Sequence, residues 1–249
     1  MDPALESSAA APYTGVENLE VMREAENYNR YLFGLVTHYA AGSTRMIDFG
    51  AGSGTFALPC VAAGLDVTAV EPDEPLRALL TAAGVRAVAD TAVLRDGEFP
   101  YAYTLNVLEH IRDDVAALRA LRTKLVPGGR LFVYVPAFPV LFTSMDAKVR
   151  HLRRYTRTTL STSLQAAGFE LETIRYADSL GFAATLLFKA LDNGTGNVNR
   201  RMLRIYDQFA LPLSLALDAL THRWFGKNLL ALARNPARVD ARTVSATRR

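Results

Sequence analysis

The segment MIDFGAGSGT at 46–55 places Gly50, Gly52 and Gly54 directly after an apolar stretch and directly before a helical one. Glycines at such a turn let the backbone adopt φ > 0 and let a ligand approach the main chain without Cβ collisions. The N-terminus of the helix that follows presents free N–H groups suited to an anionic or polar ligand. Taken alone, the loop is equally what a merely tight strand–helix turn looks like. A second signal is Glu71, which ends the next apolar stretch, VTAVEPD, 21 residues beyond Gly50. An acidic side chain about 20 residues past such a loop, at the tip of the second strand, is positioned to accept hydrogen bonds from ribose hydroxyls. The two features together predict a nucleoside-containing cofactor bound where the strand order of an α/β sheet reverses.

The rest of the chain supplies such a sheet. Short apolar runs at 45–49, 66–70, 86–89, 101–105, 130–135 and 171–176 alternate with helix-spaced stretches at 56–63, 75–83, 114–125 and 158–167. The 114–125 stretch carries its apolar stripe at Val115, Leu118, Leu121 and Leu125, and PGG at 127–129 stops it. This alternation predicts βαβ units: an α/β, doubly wound, mostly parallel sheet with helices on both faces. Upstream, Leu19, Met22, Ala25, Leu32, Leu35, Val36 and Tyr39 predict a helix over 18–41. Residues 178–224 break the rhythm with apolar helical stretches around the polar linker DNGTGNVNRR, before a last strand at 228–233. One domain is expected. It comprises an N-terminal helical cap (1–42), a cofactor-binding core (43–177), a helical insertion over the acceptor (178–224), the last strand (225–235) and a loose basic tail (236–249).

Composition narrows the classes. In 249 residues, half are apolar and the formal charge is only +3, which excludes an intrinsically disordered chain. The single cysteine, Cys60, sits in the apolar run FALPCVAAG; it rules out an intramolecular disulfide and reads as a buried small hydrophobe. MDPALESSAA is not a signal peptide, and no apolar window is long enough for a membrane span. A soluble protein of the cytoplasm is expected. The chain shows no basic–aromatic nucleic-acid module, no metal-ligand spacing and no internal repeat, and a monomer or homodimer is anticipated.

The loop's spacing sharpens the cofactor. A dinucleotide fingerprint has its third glycine three residues after the second, where this chain has Thr55; the glycine falls one earlier, at Gly54. Gly-x-Gly-x-Gly preceded by Asp48 resembles motif I of the class I S-adenosylmethionine-dependent methyltransferases. MREAENYN (22–29), LNVLEHIRDD (105–114), LVPGGRLFVYVPA (125–137) and FPVLFTSMD…RHLRRYT (138–156) extend the likeness. Together they resemble a bacterial small-molecule subgroup often found beside glycosyltransferases, marked by NVLEH and HxRRY. That subgroup's pattern has GHxRRY; here Arg150 stands in place of its glycine, while His151, Arg153, Arg154, Tyr155 and AGF (167–169) match.

The resemblance implies a Rossmann-like methyltransferase sheet with its last strand antiparallel, S-adenosylmethionine as cofactor and S-adenosylhomocysteine as product. It implies that Gly50, Gly52 and Gly54 line the methionine moiety and that Glu71 with Pro72 holds the ribose. Asp90 and Thr91 would meet the adenine, and Asn106 the cofactor's amino group. Tyr28 and Tyr31 would close over the carboxylate, with Asp48 orienting the loop. On the acceptor side, His110, His151 and Tyr155 are the catalytic candidates, since an imidazole titrates near physiological pH. Asp146, Arg153 and Arg154 are the substrate-binding candidates, because a guanidinium fork suits a carboxylate or phosphate; a solvated basic face explains the same run. Glu109 is read as a loop tether. The acceptor expected is a small molecule: a natural product, sugar or lipid-linked intermediate. A nicotinamide-dependent oxidoreductase and a non-catalytic cofactor-binding module are the alternatives.

Overall fold

In a computed structural model, residues 23–191, 194–197 and 199–237 are described. They form a seven-stranded sheet of order β3-β2-β1-β4-β5-β7-β6. The strands are β1 (Arg45–Phe49), β2 (Asp66–Val70), β3 (Arg86–Val88), β4 (Phe99–Leu105), β5 (Leu125–Pro136), β6 (Glu170–Ala177) and β7 (Asn228–Arg234). β1 pairs in parallel with both β2 and β4, so the chain's winding direction reverses there. β7 alone runs against its neighbours, β5 and β6, as expected of the last strand.

Period-two alternation explains why these residues form strands. Leu131, Val133 and Val135 of β5 join one buried apolar layer, while Phe132 and Tyr134 join the other. The first layer also takes Leu118 and Leu121 from α4 (Asp114–Lys124) and Leu160 and Leu164 from α6 (Arg157–Ala166). The second takes Leu32, Leu35 and Val36 from α1 (Glu26–Ala40), Cys60 from α2 (Ala57–Ala62) and Leu80 from α3 (Glu74–Ala82). Cys60 is fully buried and its thiol is pushed up to about 11 by desolvation, an inert small hydrophobe.

Two elements depart from the sequence reading. β5 starts at Leu125 rather than 130, because PGG does not end the pairing but bulges it: the register with β4 shifts between Phe99 and Tyr101. The helix expected over 18–41 is interrupted. At Ala25 the backbone leaves helical geometry (ψ 75°), and α1 starts afresh at Glu26. Residues 1–22 and the basic tail from 238 lie outside the described residues.

No local side chain caps the restart of α1. The acceptor comes from the insertion, which consists of α7 (Ser179–Leu191), α8 (Arg200–Ile205), a π-helical turn (Tyr206–Ala210) and α9 (Leu211–Thr221). A short five-residue α5 (Ser144–Lys148) lies earlier, after β5. Asp207, in the π-turn, accepts hydrogen bonds from the backbone N–H groups of Asn27 and Tyr28, both at 2.9 Å. The Asn27 amide donates in return to the Asp207 carbonyl at 3.0 Å. Asp218 in α9 does the same for α7, accepting from the N–H groups of Asp178 and Ser179 at 2.7 and 3.0 Å. Two buried carboxylates therefore satisfy helix starts far away in sequence, which local capping cannot do. Asp207→Ala is expected to lower unfolding stability by about 1–2 kcal/mol, read as a lower urea midpoint at unchanged slope.

Candidate active site

The glycine loop lies at the C-terminal end of β1. Gly50 and Gly54 have φ of 81° and 86°. A Cβ on Gly50 would sit 2.4 Å from a methyl of Val107, the residue two past β4. Bare backbone is thus needed for the loops after β1 and β4 to lie against each other. Glu71, at the tip of β2, is buried and turned back on this loop. Its carboxylate accepts from the Gly52 N–H at 2.7 Å and from the Asp73 N–H at 2.9 Å. Burial raises its pKa, opposed by these two N–H groups. Both oxygens keep a further lone pair for a ligand hydroxyl.

The other cofactor-side candidates gather along the same edge. Asp90, exposed after β3, accepts from the Ala92 N–H at 2.7 Å, with Thr91 buried beside it. Pro72 is exposed next to Glu71. Asn106 follows β4 with φ 54° and donates its N–H to Tyr134 at 2.8 Å. Phe138 and Asp178, just beyond β5 and β6, are also left-handed, at 58° and 63°. Non-glycine residues rarely adopt this conformation, and such outliers concentrate at ligand sites. Here three of them line one edge. Tyr28 of α1 interacts with Asn106 and Tyr134, and burial holds its hydroxyl well above its usual range. Burial likewise raises the Tyr31 hydroxyl, opposed by Arg175.

Asp48 lies beneath the loop. It is buried, its Oδ2 has no hydrogen-bond partner, and desolvation pushes its carboxyl up to about 7, with the Tyr103 hydroxyl acting in the opposite direction.

The acceptor-side candidates follow β4 and β5. His151 Nδ1 lies 2.7 Å from Asp146 Oδ1, and Asp146 is gripped by Arg154 through Nε and an Nη, both at 2.9 Å. Asp146 also accepts from the Thr143 N–H at 2.8 Å and forms a capping box with it. Its carboxyl is held far below the usual range: burial opposes this but is outweighed by His151 and Arg154. The rings of His110 and His151 meet edge to face, 4.6 Å apart. Desolvation, with His151 alongside, lowers His110 to about 4, so its imidazole is neutral. Glu109 is 0% exposed, neither carboxylate oxygen has a hydrogen-bond partner, and burial drives it up to about 8.

Several of the acceptor-side candidates are engaged within the protein. The Tyr155 hydroxyl is buried and donates to Asp114 at 2.8 Å, with the Leu108 carbonyl at 3.2 Å, so it serves as a clamp between loops. Arg154 spends its fork on Asp146 rather than leaving it open to an anion. Arg153 faces Asp114 at 3.3 Å and donates to the Arg112 carbonyl at 2.7 Å. Arg157, from the same run, donates to the Ile174 carbonyl and lies over the Tyr176 ring. Arg153, Arg154 and Arg157 thus make internal ties, while Arg150 is exposed. Arg150 has φ 62°, a conformation that glycine adopts more readily than any other residue. The Glu109 carbonyl accepts from the Leu152 N–H at 2.8 Å and so ties the turn after β4 to the segment after β5, while its carboxylate makes no hydrogen bond. The adjacent Glu–His pair was the signal that could have marked it.

Asp48 yields a pH prediction. Its folded pKa of about 7 lies above the ordinary value of 3.8, so the unfolded state gives up this proton first. Stability therefore falls as pH rises from about 4 to 7 and levels off above that. Asp48→Asn removes this slope. Relative to the parent protein it should gain stability at pH 8 but not at pH 4, by up to about 4 kcal/mol, measured by urea unfolding at both pH values.

Solved structures share this architecture. The [4+2]-cyclase SpnF superposes with a TM-score of 0.54 at 22% identity, over 84% of this chain and 82% of that one. A SAM-dependent methyltransferase from Archaeoglobus fulgidus gives 0.54 at 16% identity, covering 83% and 94%. Phosphoethanolamine N-methyltransferase 2 from Haemonchus contortus, in complex with S-adenosyl-L-methionine, gives 0.52 at 18%, covering 78% and 49%. These identities speak for the fold alone. No curated protein matches the chain. The family model described as a methyltransferase domain matches residues 22–174. With more than half of its length so matched, the chain belongs to the methyltransferase-domain family, and it is a methyltransferase.

Proposed function

We propose that the protein transfers a methyl group from S-adenosylmethionine to a small-molecule acceptor. The observation that carries this reading is the Glu71 carboxylate bonded to the Gly52 N–H at the reversal of the sheet, inside a methyltransferase domain. The cofactor supplies an electrophilic methyl on a sulfonium. The chain's own residues hold and orient it. Glu71 accepts the ribose hydroxyls, with Pro72 beside it. The loop at Gly50, Gly52 and Gly54 receives the methionine portion, and Asp90 and Thr91 meet the adenine. Asn106 and Tyr28 close on the amino-acid end, and Asp48 supports the loop from below. In-line displacement depends mainly on such positioning, which can supply roughly 7–11 kcal/mol. His110 and His151, the latter oriented by Asp146, stand at the acceptor side. The likeness to a bacterial small-molecule subgroup supports a sugar, lipid-linked or natural-product acceptor.

Calorimetric titration with S-adenosylmethionine, S-adenosylhomocysteine and NAD tests this. The first two should bind and NAD should not; binding of NAD alone would overturn the reading in favour of an oxidoreductase. Glu71→Ala should weaken S-adenosylhomocysteine binding at least tenfold, since it removes a charged acceptor worth about 1.5–3 kcal/mol. Unchanged affinity would show that the ribose is held elsewhere.

A further inference from the structure

The geometry points to a divalent transition-metal site made by Glu109, His110 and His151, on the acceptor side of the cleft. One ligand atom from each lies within 4.8 Å of the others. Glu109 Oε1 is 3.7 Å from His151 Nε2. That separation is too long for a hydrogen bond. It is only a few tenths of an ångström wider than the about 3.3 Å spanned by two ligands on a tetrahedral ion at 2.0–2.1 Å. Small side-chain adjustments would close it.

The surroundings are those of a built site. A metal-bound imidazole commonly donates its other N–H to a carboxylate or a main-chain carbonyl, which fixes the ring and its tautomer. His151 does so at Nδ1 with Asp146, leaving Nε2 toward Glu109. Asp146 is itself immobilised by Arg154 and Thr143. His110 bonds to the main chain at Val149 and Arg150, and its ring lies edge to face against His151 at 4.6 Å. Glu109 provides the independent observation. A carboxyl group 0% exposed with neither oxygen hydrogen-bonded to another side chain carries a desolvation cost that Arg154 offsets only in part, from a distance. A cation between it and the two imidazoles would offset it directly. The side chain of His151 is 14% exposed, which leaves an approach from solvent.

Two imidazoles and one carboxylate suit Zn²⁺, Fe²⁺ or Co²⁺ rather than Mg²⁺ or Ca²⁺, which prefer all-oxygen shells. Three protein ligands leave coordination positions for water or for an acceptor heteroatom. That last consequence rests on the proposed methyl transfer; the metal site itself does not. The sequence offered no such spacing, because Glu109 and His110 are neighbours while His151 arrives from beyond β5.

The full-length protein, dialysed against EDTA and then freed of it, is titrated with Zn²⁺ by calorimetry and with Co²⁺ by visible absorption. The same preparations are titrated with S-adenosylhomocysteine as a check of folding that reports on the cofactor site separately. About one equivalent of Zn²⁺ should bind at or below micromolar Kd, with Co²⁺ giving the absorption of nitrogen–oxygen ligation. Glu109→Gln, which keeps the buried shape, and His151→Ala should each weaken Zn²⁺ at least 100-fold, and Asp146→Asn about 10–100-fold. Should His151→Ala fail to fold, Glu109→Gln decides alone. Absence of stoichiometric binding in the parent protein overturns the proposal, as does equal Zn²⁺ affinity in Glu109→Gln. Either result leaves the S-adenosylhomocysteine outcome untouched.

Discussion

β1 sits between β2 on one side and β4 on the other, all three running the same way. This pairing is the constraint on which the cleft depends. Strand direction sends every βα loop to one edge of the sheet, and the reversal of winding at β1 keeps the helices on either side from covering the gap between them. The glycine loop, Glu71, Asn106 and the Glu109–His110 turn all leave that edge because their strands end there. Contact between Gly50 and Val107 ties the two sides of the reversal together. A side chain at Gly50 would separate the half of the edge that carries Glu71 from the half that carries the imidazoles.

Around this edge, ionised and polar groups are used chiefly as internal fastenings. Arg154 and Asp146 hold the segment after β5 in place, and Tyr155, Asp114 and Arg153 hold it to the turn after β4. Asp178 accepts from Ser214, Gly181 and Tyr206, binding the insertion to the end of β6. The loops that meet at the cleft are therefore clamped by charge-assisted bonds, and the buried Glu109 carboxylate, whose oxygens make no hydrogen bond, stands out against that background.

The sheet was legible in the sequence because period-two and period-3.6 patterns report burial directly. Runs such as LFVYV can satisfy two apolar layers only as a strand. The glycine loop and Glu71 were legible because their spacing is tied to a turn and to a strand end. What stayed hidden depends on distant partners. Nothing near Arg154 in sequence shows whether its fork meets a ligand or Asp146, since both readings ask for the same exposed-looking cation. The break at Ala25 was equally invisible. An apolar stripe continues through it, and the acceptor that makes a new helix start favourable lies in the π-turn at Asp207. Glu109 shows the same limit: the full burial of its carboxylate is a property of the packed loop, not of the tripeptide LEH.

The bond between Asp207 and the first amides of α1 has a kinetic side. It joins residues 180 positions apart, so the chain between them must be closed before the contact can form, and that closure carries a large entropic cost. The sheet and its local βα units assemble through nearer neighbours. The first amides of α1 find their acceptor only when the insertion is docked. Exchange of the Asn27 and Tyr28 amides with solvent is therefore coupled to detachment of the insertion.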